Sequence, residues 1–255
     1  MFSEEYIKKH LNYDIDISLY DSVTSTNEIL KTRALSGAPH LSLIAACSQT
    51  AGRGRLGRNF FSPPGSGIYM SILLRPHGAL EDSLCITTCS AVAMCRVIEN
   101  VSAASPGIKW VNDIYTDKGK VCGILTEGGF HPDTGDFYAV CGIGVNLTPP
   151  LGGFPSDIQG KAGALFDNLP DKHIPEKIIS DFINTFVPMY NNISEKAFLP
   201  EYRKRSIVIG KRVKLLGKNI EATAIGINDD FSLAVKYDDG SIGSVSNGDV
   251  SISVI

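Results

Sequence analysis

Residues 49–61 read QTAGRGRLGRNFF. Three arginines, Arg53, Arg55 and Arg58, are interleaved with three glycines, Gly52, Gly54 and Gly57. Glycine admits positive φ and lets a backbone approach a ligand closely. Arginine presents a fork of donors matched to carboxylate or phosphate oxygens. A loop of this make-up suits closure over a small anion, with Phe60 or Phe61 offering a flat apolar face. Read alone, the string also suits a solvated basic loop or an Arg-Gly patch on nucleic acid. It lacks a GKS or GKT ending, and it is not GxGxxG between a strand and a helix, so two common phosphate loops are excluded.

The flanks set the architecture. SLIAACS (42–48) reads as a buried strand entering the loop, and IYMSILLRP (68–76) as a strand leaving it after the PPGSG turn. The arginine loop is therefore an excursion between neighbouring strands. Upstream, Ile15 to Tyr20 alternates as an opening strand, and DSVTSTNEILKTRALSG reads as a helix. Ser25 and Glu28 have capping-box spacing, Ile29, Leu30, Ala34 and Leu35 share a face, and Gly37 is a C-cap candidate. Ser25, Thr26 and Asn27 either cap this helix or offer its free first-turn N–H groups to a ligand.

Downstream, Leu84 to Val101 reads as a core helix, and KWVNDIY (109–115) leads through a DKGK turn to a strand at Val121 to Thr126. Phe137 to Leu147 is a further strand, Ile174 to Asn192 a helix kinked or broken at Pro188, and Ser194 to Arg205 a short helix. From Gly210 the pattern changes to short strands separated by GKN, NDD and DDGS turns. The expected fold is α+β: a mixed β-sheet flanked by helices over 1–208, then a small SH3-like β-barrel over 209–255.

The chain has 255 residues, 43% hydrophobic and 20% charged, which suits an ordinary folded core. Its net charge of −3 argues against a general nucleic-acid binder, so the positive charge is local and the ligand small. The six cysteines, at 47, 85, 89, 95, 122 and 141, lie in apolar runs without a CxxC pair. They read as buried thiols in a reducing compartment, with no zinc site. MFSEEYIKKH has no apolar signal core, and the longest apolar runs are read as too short for a membrane span. A cytoplasmic protein is expected.

Four polar clusters sit at strand or helix ends: Ser25-Thr26-Asn27, the arginine loop, Lys109 to Asp113 with Lys120, and Gly142 to Asn146. They hold cations, amides and one Asp, without a Ser-His-Asp or Cys-His set. That inventory suits charge stabilisation and positioning, as phosphoryl or nucleotidyl transfer requires, not a covalent nucleophile. GRGRLGR, KWVNDIY, KVCGILTE and GIGVNL, in this order, with STN at 25–27 and the C-terminal strands, resemble biotin–protein ligase over nearly the whole chain from about residue 15. The family's fold is similar to that of lipoate–protein ligases and class II aminoacyl-tRNA synthetases.

The resemblance implies formation of biotinyl-5'-AMP from biotin and Mg·ATP, then transfer of biotin to a lysine of a biotin carboxyl carrier protein domain. It implies biotin contacts from Ser25, Thr26, Asn27, Gln49, Gly52, Arg53, Gly54, Arg55, Lys120, Gly123 and Leu125. ATP and the adenylate would be held by Arg53, Arg55, Arg58, Phe60, Lys109, Asn112, Asp113, Lys120 and Asn146, with Asp113 near Mg²⁺. Lys120 takes the leading catalytic role, with Arg53 and Arg55 offsetting repulsion between carboxylate and phosphates. The arginine loop, with no strong acidic neighbours in sequence, is expected to order over the adenylate.

The chain departs from the family pattern twice. Phe60 stands where the family has tryptophan, and Val111 replaces the proline of KWPND, where an extended strand would suit valine. About 15 residues before the core leave no room for a winged-helix reader, so specific DNA binding is not expected. The oligomeric state is expected to be monomer or homodimer. A lipoate or other acyl–protein ligase on the same scaffold is the alternative, and an Arg-Gly nucleic-acid module or a non-catalytic biotin sensor are weaker ones.

Overall fold

A computed structural model describes residues 2–76, 82–216, 220–246 and 252–254. The chain opens with α1 (Glu4–His10), whose cap Ser3 accepts a hydrogen bond from Tyr6 N at 3.2 Å. Acidic Glu4 and Glu5 sit in its first turn and Lys8, Lys9 and His10 in its last, matching the helix dipole. Then follow β1 (Ile17–Tyr20), α2 (Thr26–Leu35), β2 (Leu43–Ala46), β3 (Gly67–Leu74) and α3 (Asp82–Val101). A hairpin region contains β4 (Gly107–Lys109), β5 (Asp113–Thr116), β6 (Gly119–Phe130) and β7 (Phe137–Asn146). After a long connection come α4 (Ile174–Asn191) and α5 (Leu199–Arg205). Five short strands close the chain: β8 (Arg212–Leu215), β9 (Ile220–Ile227), β10 (Leu233–Lys236), β11 (Ile242–Val245) and β12 (Ile252–Val254).

The first seven strands form one mixed sheet in the order β1-β2-β3-β7-β6-β5-β4. Only β1 and β2 pair in parallel; the other neighbours are antiparallel. Side chains alternate between the two faces of each strand. Met70, Ile72, Cys122, Ile124, Cys141, Ile143 and Val145 point into the main core with α3 and α4. Ile44, Leu73 and Val140 point the other way and pack under Leu30 and Ala34 of α2. Because α2 covers only part of that second face, the remainder is left open. Gly142, Gly144, Gly123, Leu125 and Glu127 occupy alternate positions of β7 and β6, out of phase with the core residues.

The last five strands form a second, antiparallel sheet in the order β11-β10-β9-β8-β12. Its apolar rows join the same hydrophobic cluster as the first sheet. Trp110 Nε1 donates to Phe231 O at 2.9 Å, Tyr202 Oη donates to Val111 O at 2.9 Å, and Phe198 stacks on Phe231. Loss of a buried anchor such as Phe182 or Phe186 would cost about 3–5 kcal/mol.

Several local readings change. Val111 is not in an extended strand: residues 110–112 form the turn between paired Lys109 and Asp113, and the Trp110–Val111 peptide is cis. α4 runs through Pro188 as one helix; the proline forgoes a single ladder bond, to Asn184 O, and only three residues of helix follow it. Ser83–Val101, 19 residues, is long and apolar enough to cross a membrane, contrary to the sequence reading. However, 67% of that stretch is buried within the protein, as a core helix is.

Candidate active site

A cleft with a cavity volume of about 490 Å³ lies on the partly uncovered face of the first sheet. That is within the usual range for a small-molecule site. At one end is a buried polar row from the start of α2 and its neighbours. Gln49 Oε1 accepts from Thr26 N at 2.9 Å and faces Thr26 Oγ1 at 3.2 Å, while Gln49 Nε2 donates to Ser62 Oγ at 3.1 Å. Ser71, buried on β3, lies 2.8 Å from Thr26 Oγ1 and 2.6 Å from Asn27 Oδ1. Asn27 Nδ2 donates to Leu125 O at 3.3 Å and to Glu127 Oε2 at 2.8 Å. This row tolerates no side chain on the floor. A Cβ at Gly142 would stand 2.1 Å from Asn27 Oδ1.

The arginine loop crosses above the row as a small hairpin of its own. Arg53 bridges to Asn59, Gly54 N donates to Arg58 O at 2.7 Å, and Phe60 N donates to Gly52 O at 2.9 Å. Arg55–Gly57 is a single 3₁₀ turn. The loop does have acidic partners, supplied by tertiary structure: Arg53 pairs with Glu28, and its Nη2 lies 3.6 Å from Glu127 Oε1. Phe60 lies over Gly144 and Gly123, where a Cβ would come within 2.5 and 2.8 Å of its ring. The two glycines thus form the flat surface that seats this ring.

The other end is dense in charge. Lys120 Nζ pairs with Asp113 Oδ1 at 2.6 Å and lies 5.7 Å from the centre of the Phe60 ring. Arg55 Nη1 donates to Asn112 Oδ1 at 3.2 Å, and Asn112 Nδ2 donates to Ile124 O at 2.7 Å. Burial draws the Arg55 guanidinium below its ordinary pKa, opposed by Asp113. Lys109 Nζ lies over Tyr115 at 5.7 Å. Its pKa is lowered first by burial and then by Lys120, Arg58 and Lys161, with Asp113 opposing. Burial pushes the Tyr115 hydroxyl up to about 12. Asn146 Nδ2 donates to Gly163 O at 2.9 Å, and Lys120 N to Lys161 O at 2.8 Å, fastening the 161–163 segment as a wall. Among the described residues no three His, Cys, Asp or Glu side chains converge as a metal site.

Residues 19–146 match the biotin/lipoate A/B protein ligase family, and residues 208–253 match the biotin protein ligase C-terminal domain. The chain belongs to the biotin/lipoate protein ligase family. The ligase chain is 30% identical over 241 residues to the bifunctional ligase/repressor BirA of Bacillus subtilis, covering 92% of this chain and 72% of that protein. It is 29% identical over 241 residues to the biotin--[acetyl-CoA-carboxylase] ligase of Mycobacterium tuberculosis, covering 89% of this chain and 85% of that one. Among solved structures it is similar to the biotin protein ligase from Aquifex aeolicus in complex with biotin and ATP, with a TM-score of 0.76 and 25% identity over 94% of this chain and 99% of the other.

Ser25, Thr26, Asn27, Gln49, Arg53, Gly54, Arg55 and Arg58 all line the ligase cleft, as do Phe60, Lys109, Asn112 and Asp113. Lys120, Gly123, Leu125 and Asn146 line it as well. Gly52 does not: it is packed beneath the loop, where a Cβ would meet Phe60 O at 2.5 Å and Ser62 Oγ at 2.6 Å. The capping box also fails to form. Ser25 makes no side-chain cap bond, and the Glu28 carboxylate is taken by Lys31 and Arg53, whose charges bind it more strongly than a backbone N–H would. Lys31 holds the Glu28 carboxyl below its usual range.

Sequence reading missed Ser71, Glu127, Tyr115 and the far wall at Phe154, Asp157, Ile158 and Lys161. Leu216, from the C-terminal strands, also reaches the cleft. Period-two spacing from Gly123 and Leu125 could have found Glu127. The far wall has no periodicity and carried no signal.

Proposed function

We propose that this protein is an ATP-dependent biotin–protein ligase that forms biotinyl-5'-AMP and transfers biotin to a lysine of a carrier domain of a biotin-dependent carboxylase such as acetyl-CoA carboxylase. The observation that carries this reading is one continuous cleft with two unlike ends. An uncharged hydrogen-bonding row on a glycine floor faces a cluster of lysines and arginines around Asp113 and Asp157. A ring with N–H and C=O groups at one end of a molecule and a carboxylate at the other matches that polarity. A dithiolane ring would leave the polar row without partners, which favours biotin over lipoate.

In the first step a biotin carboxylate oxygen attacks the α-phosphorus, the bond to the β-phosphate breaks, and pyrophosphate leaves. The reactants repel each other, and Lys120 is the cation best situated to hold both the carboxylate and an α-phosphate oxygen. Its pairing with Asp113 aims the ammonium into the cleft. Asn112 holds Arg55 from below, so the guanidinium meets the developing charge without reorganising. Arg53, Arg58 and Lys109 add cations along the phosphates, with Phe60 and Asn146 on the nucleotide side. Asp113 would hold a Mg²⁺ ion that arrives with the nucleotide, since Mg²⁺ takes one or two carboxylates and draws other ligands from phosphates and water. The ion would neutralise charge on the leaving pyrophosphate. In the second step the carrier lysine's amine attacks the acyl carbon, AMP leaves, and the amine proton passes to solvent. The arginine loop shields the anhydride from water in between.

The same reading divides the chain near residue 208, with catalysis in the first part. Six free thiols, five of them buried, are consistent with a reducing, cytoplasmic setting. The test is ATP–pyrophosphate exchange with biotin and, in parallel, with lipoate. Exchange dependent on biotin alone is expected; exchange driven by lipoate alone would reassign the substrate.

A further inference from the structure

Glu127 closes the KVCGILTE string and touches both the polar row and the arginine loop. Oε2 accepts from Asn27 Nδ2 at 2.8 Å; Oε1 accepts from Lys31 Nζ at 2.7 Å and lies 3.6 Å from Arg53 Nη2. We propose that Glu127 is a positioning residue that fixes which way the Asn27 amide faces, and so sets the donor and acceptor polarity of the polar row offered to the ligand. This rests on the biotin-ligase reading of that row.

The argument is one of proton counting. A carboxylate only accepts, so at 2.8 Å, with Leu125 O as the longer second acceptor at 3.3 Å, it holds the Asn27 NH₂ toward itself and turns Oδ1 toward Ser71. An amide oxygen only accepts, so the single Ser71 hydroxyl proton goes to Asn27 Oδ1, at 2.6 Å. With its one proton on Asn27, Ser71 Oγ has only lone pairs left for Thr26 Oγ1, 2.8 Å away, so the Thr26 proton turns to it from Gln49 Oε1, 3.2 Å away. Gln49 Oε1 remains satisfied by Thr26 N at 2.9 Å. The Thr26 hydroxyl is left with lone pairs toward the cleft, as an acceptor for the N–H groups of a ureido ring. If Asn27 were flipped, every step would reverse: Ser71 would donate to Thr26, Thr26 to Gln49, and Asn27 Oδ1 would face a carboxylate. Asn27 has no room to escape by rotation, since it is buried against Gly142.

Glu127→Gln tests this without changing shape. A glutamine has one oxygen for the donors of Asn27 and Lys31, and the charged Lys31 takes it. The glutamine NH₂ then faces the Asn27 NH₂, and the shorter of the two restraints on the amide is lost, leaving Leu125 O at 3.3 Å. Biotin affinity is expected to fall about ten-fold by calorimetry, the scale of one buried donor left unsatisfied. ATP affinity should change less than about two-fold, and thermal denaturation should show a folded protein. Adding Lys31→Met removes the competing donor, frees the glutamine oxygen for Asn27, and should restore most of the biotin affinity. Arg53 keeps Glu28 as its partner throughout. Biotin affinity unchanged in Glu127→Gln, biotin and ATP affinity lost together, or no recovery in the double variant would each overturn the proposal. A wild-type protein that binds no biotin would instead tell against the ligase reading itself.

Discussion

The two ends of the cleft are built on opposite principles. At the ring end, Thr26, Asn27 and Ser71 are buried, uncharged and bonded to one another, and glycine lies beneath them. Their positions are set before any ligand arrives. At the charged end, Lys109, Lys120 and Lys161 share the cleft with three arginines and two aspartates. There burial first, and then the neighbouring cations, lower the Lys109 pKa, and an anionic ligand would relieve both. Shape and hydrogen-bond direction select at the first end; charge does the work at the second.

The largest break in this comparison is Lys120→Ala. It should leave the fold and biotin's ring contacts intact but slow adenylate formation at least ~10²-fold, as does loss of one preorganised donor elsewhere. Stopped-flow or exchange kinetics would measure it, and near-normal rates would move the role to Lys109. Next is Gly142→Ala at the ring end. The added carbon meets Asn27 Oδ1, so biotin affinity should drop about ten-fold while ATP affinity holds, on the scale of overpacking a tight site. Titration calorimetry with each ligand would separate the two ends, and a parallel loss of both would merge them.

The smallest effect is in protons. Lys109 has its folded pKa below the ordinary 10.5, chiefly through burial, so the unfolded chain binds more protons between the two values. Stability therefore rises with pH from the folded pKa and levels off near 10.5. ATP phosphates should raise the Lys109 pKa again, so ATP binding in that alkaline window should take up protons. Calorimetry in buffers of different ionisation enthalpy would detect this uptake, and Lys109→Met should abolish most of it.

Much of the phosphate end was legible in the chain. Arg55, Lys120 and Asp113 lie in short strings that have other readings singly and point to an anion site only when taken together. The ring end was legible only in part. Ser71 sits within IYMSILL, where one serine reads as a tolerated interruption, and its role appears only when β3 is laid beside α2. Glu28 had capping-box spacing and was read as a cap, but the structure brings it Arg53 from 25 residues away. The wall at Phe154 to Lys161 offered only turn residues. Its place is set by backbone bonds to Lys120 and by Asn146, none of which has a local pattern.

What the sequence determined by itself was the set of chemical groups and the strands that carry them. Period-two alternation in β3, β6 and β7 allots one face to the core and the other to the glycine and polar residues of the cleft, with Leu73 and Val140 under α2, because side chains on a strand alternate. Tertiary structure decided the partners: which acid holds Arg53, which carbonyl and carboxylate orient Asn27, and which backbone fastens Lys120. Those choices join residues far apart in the chain, and a hydrogen bond depends on distance and direction in space, which spacing along a sequence does not contain.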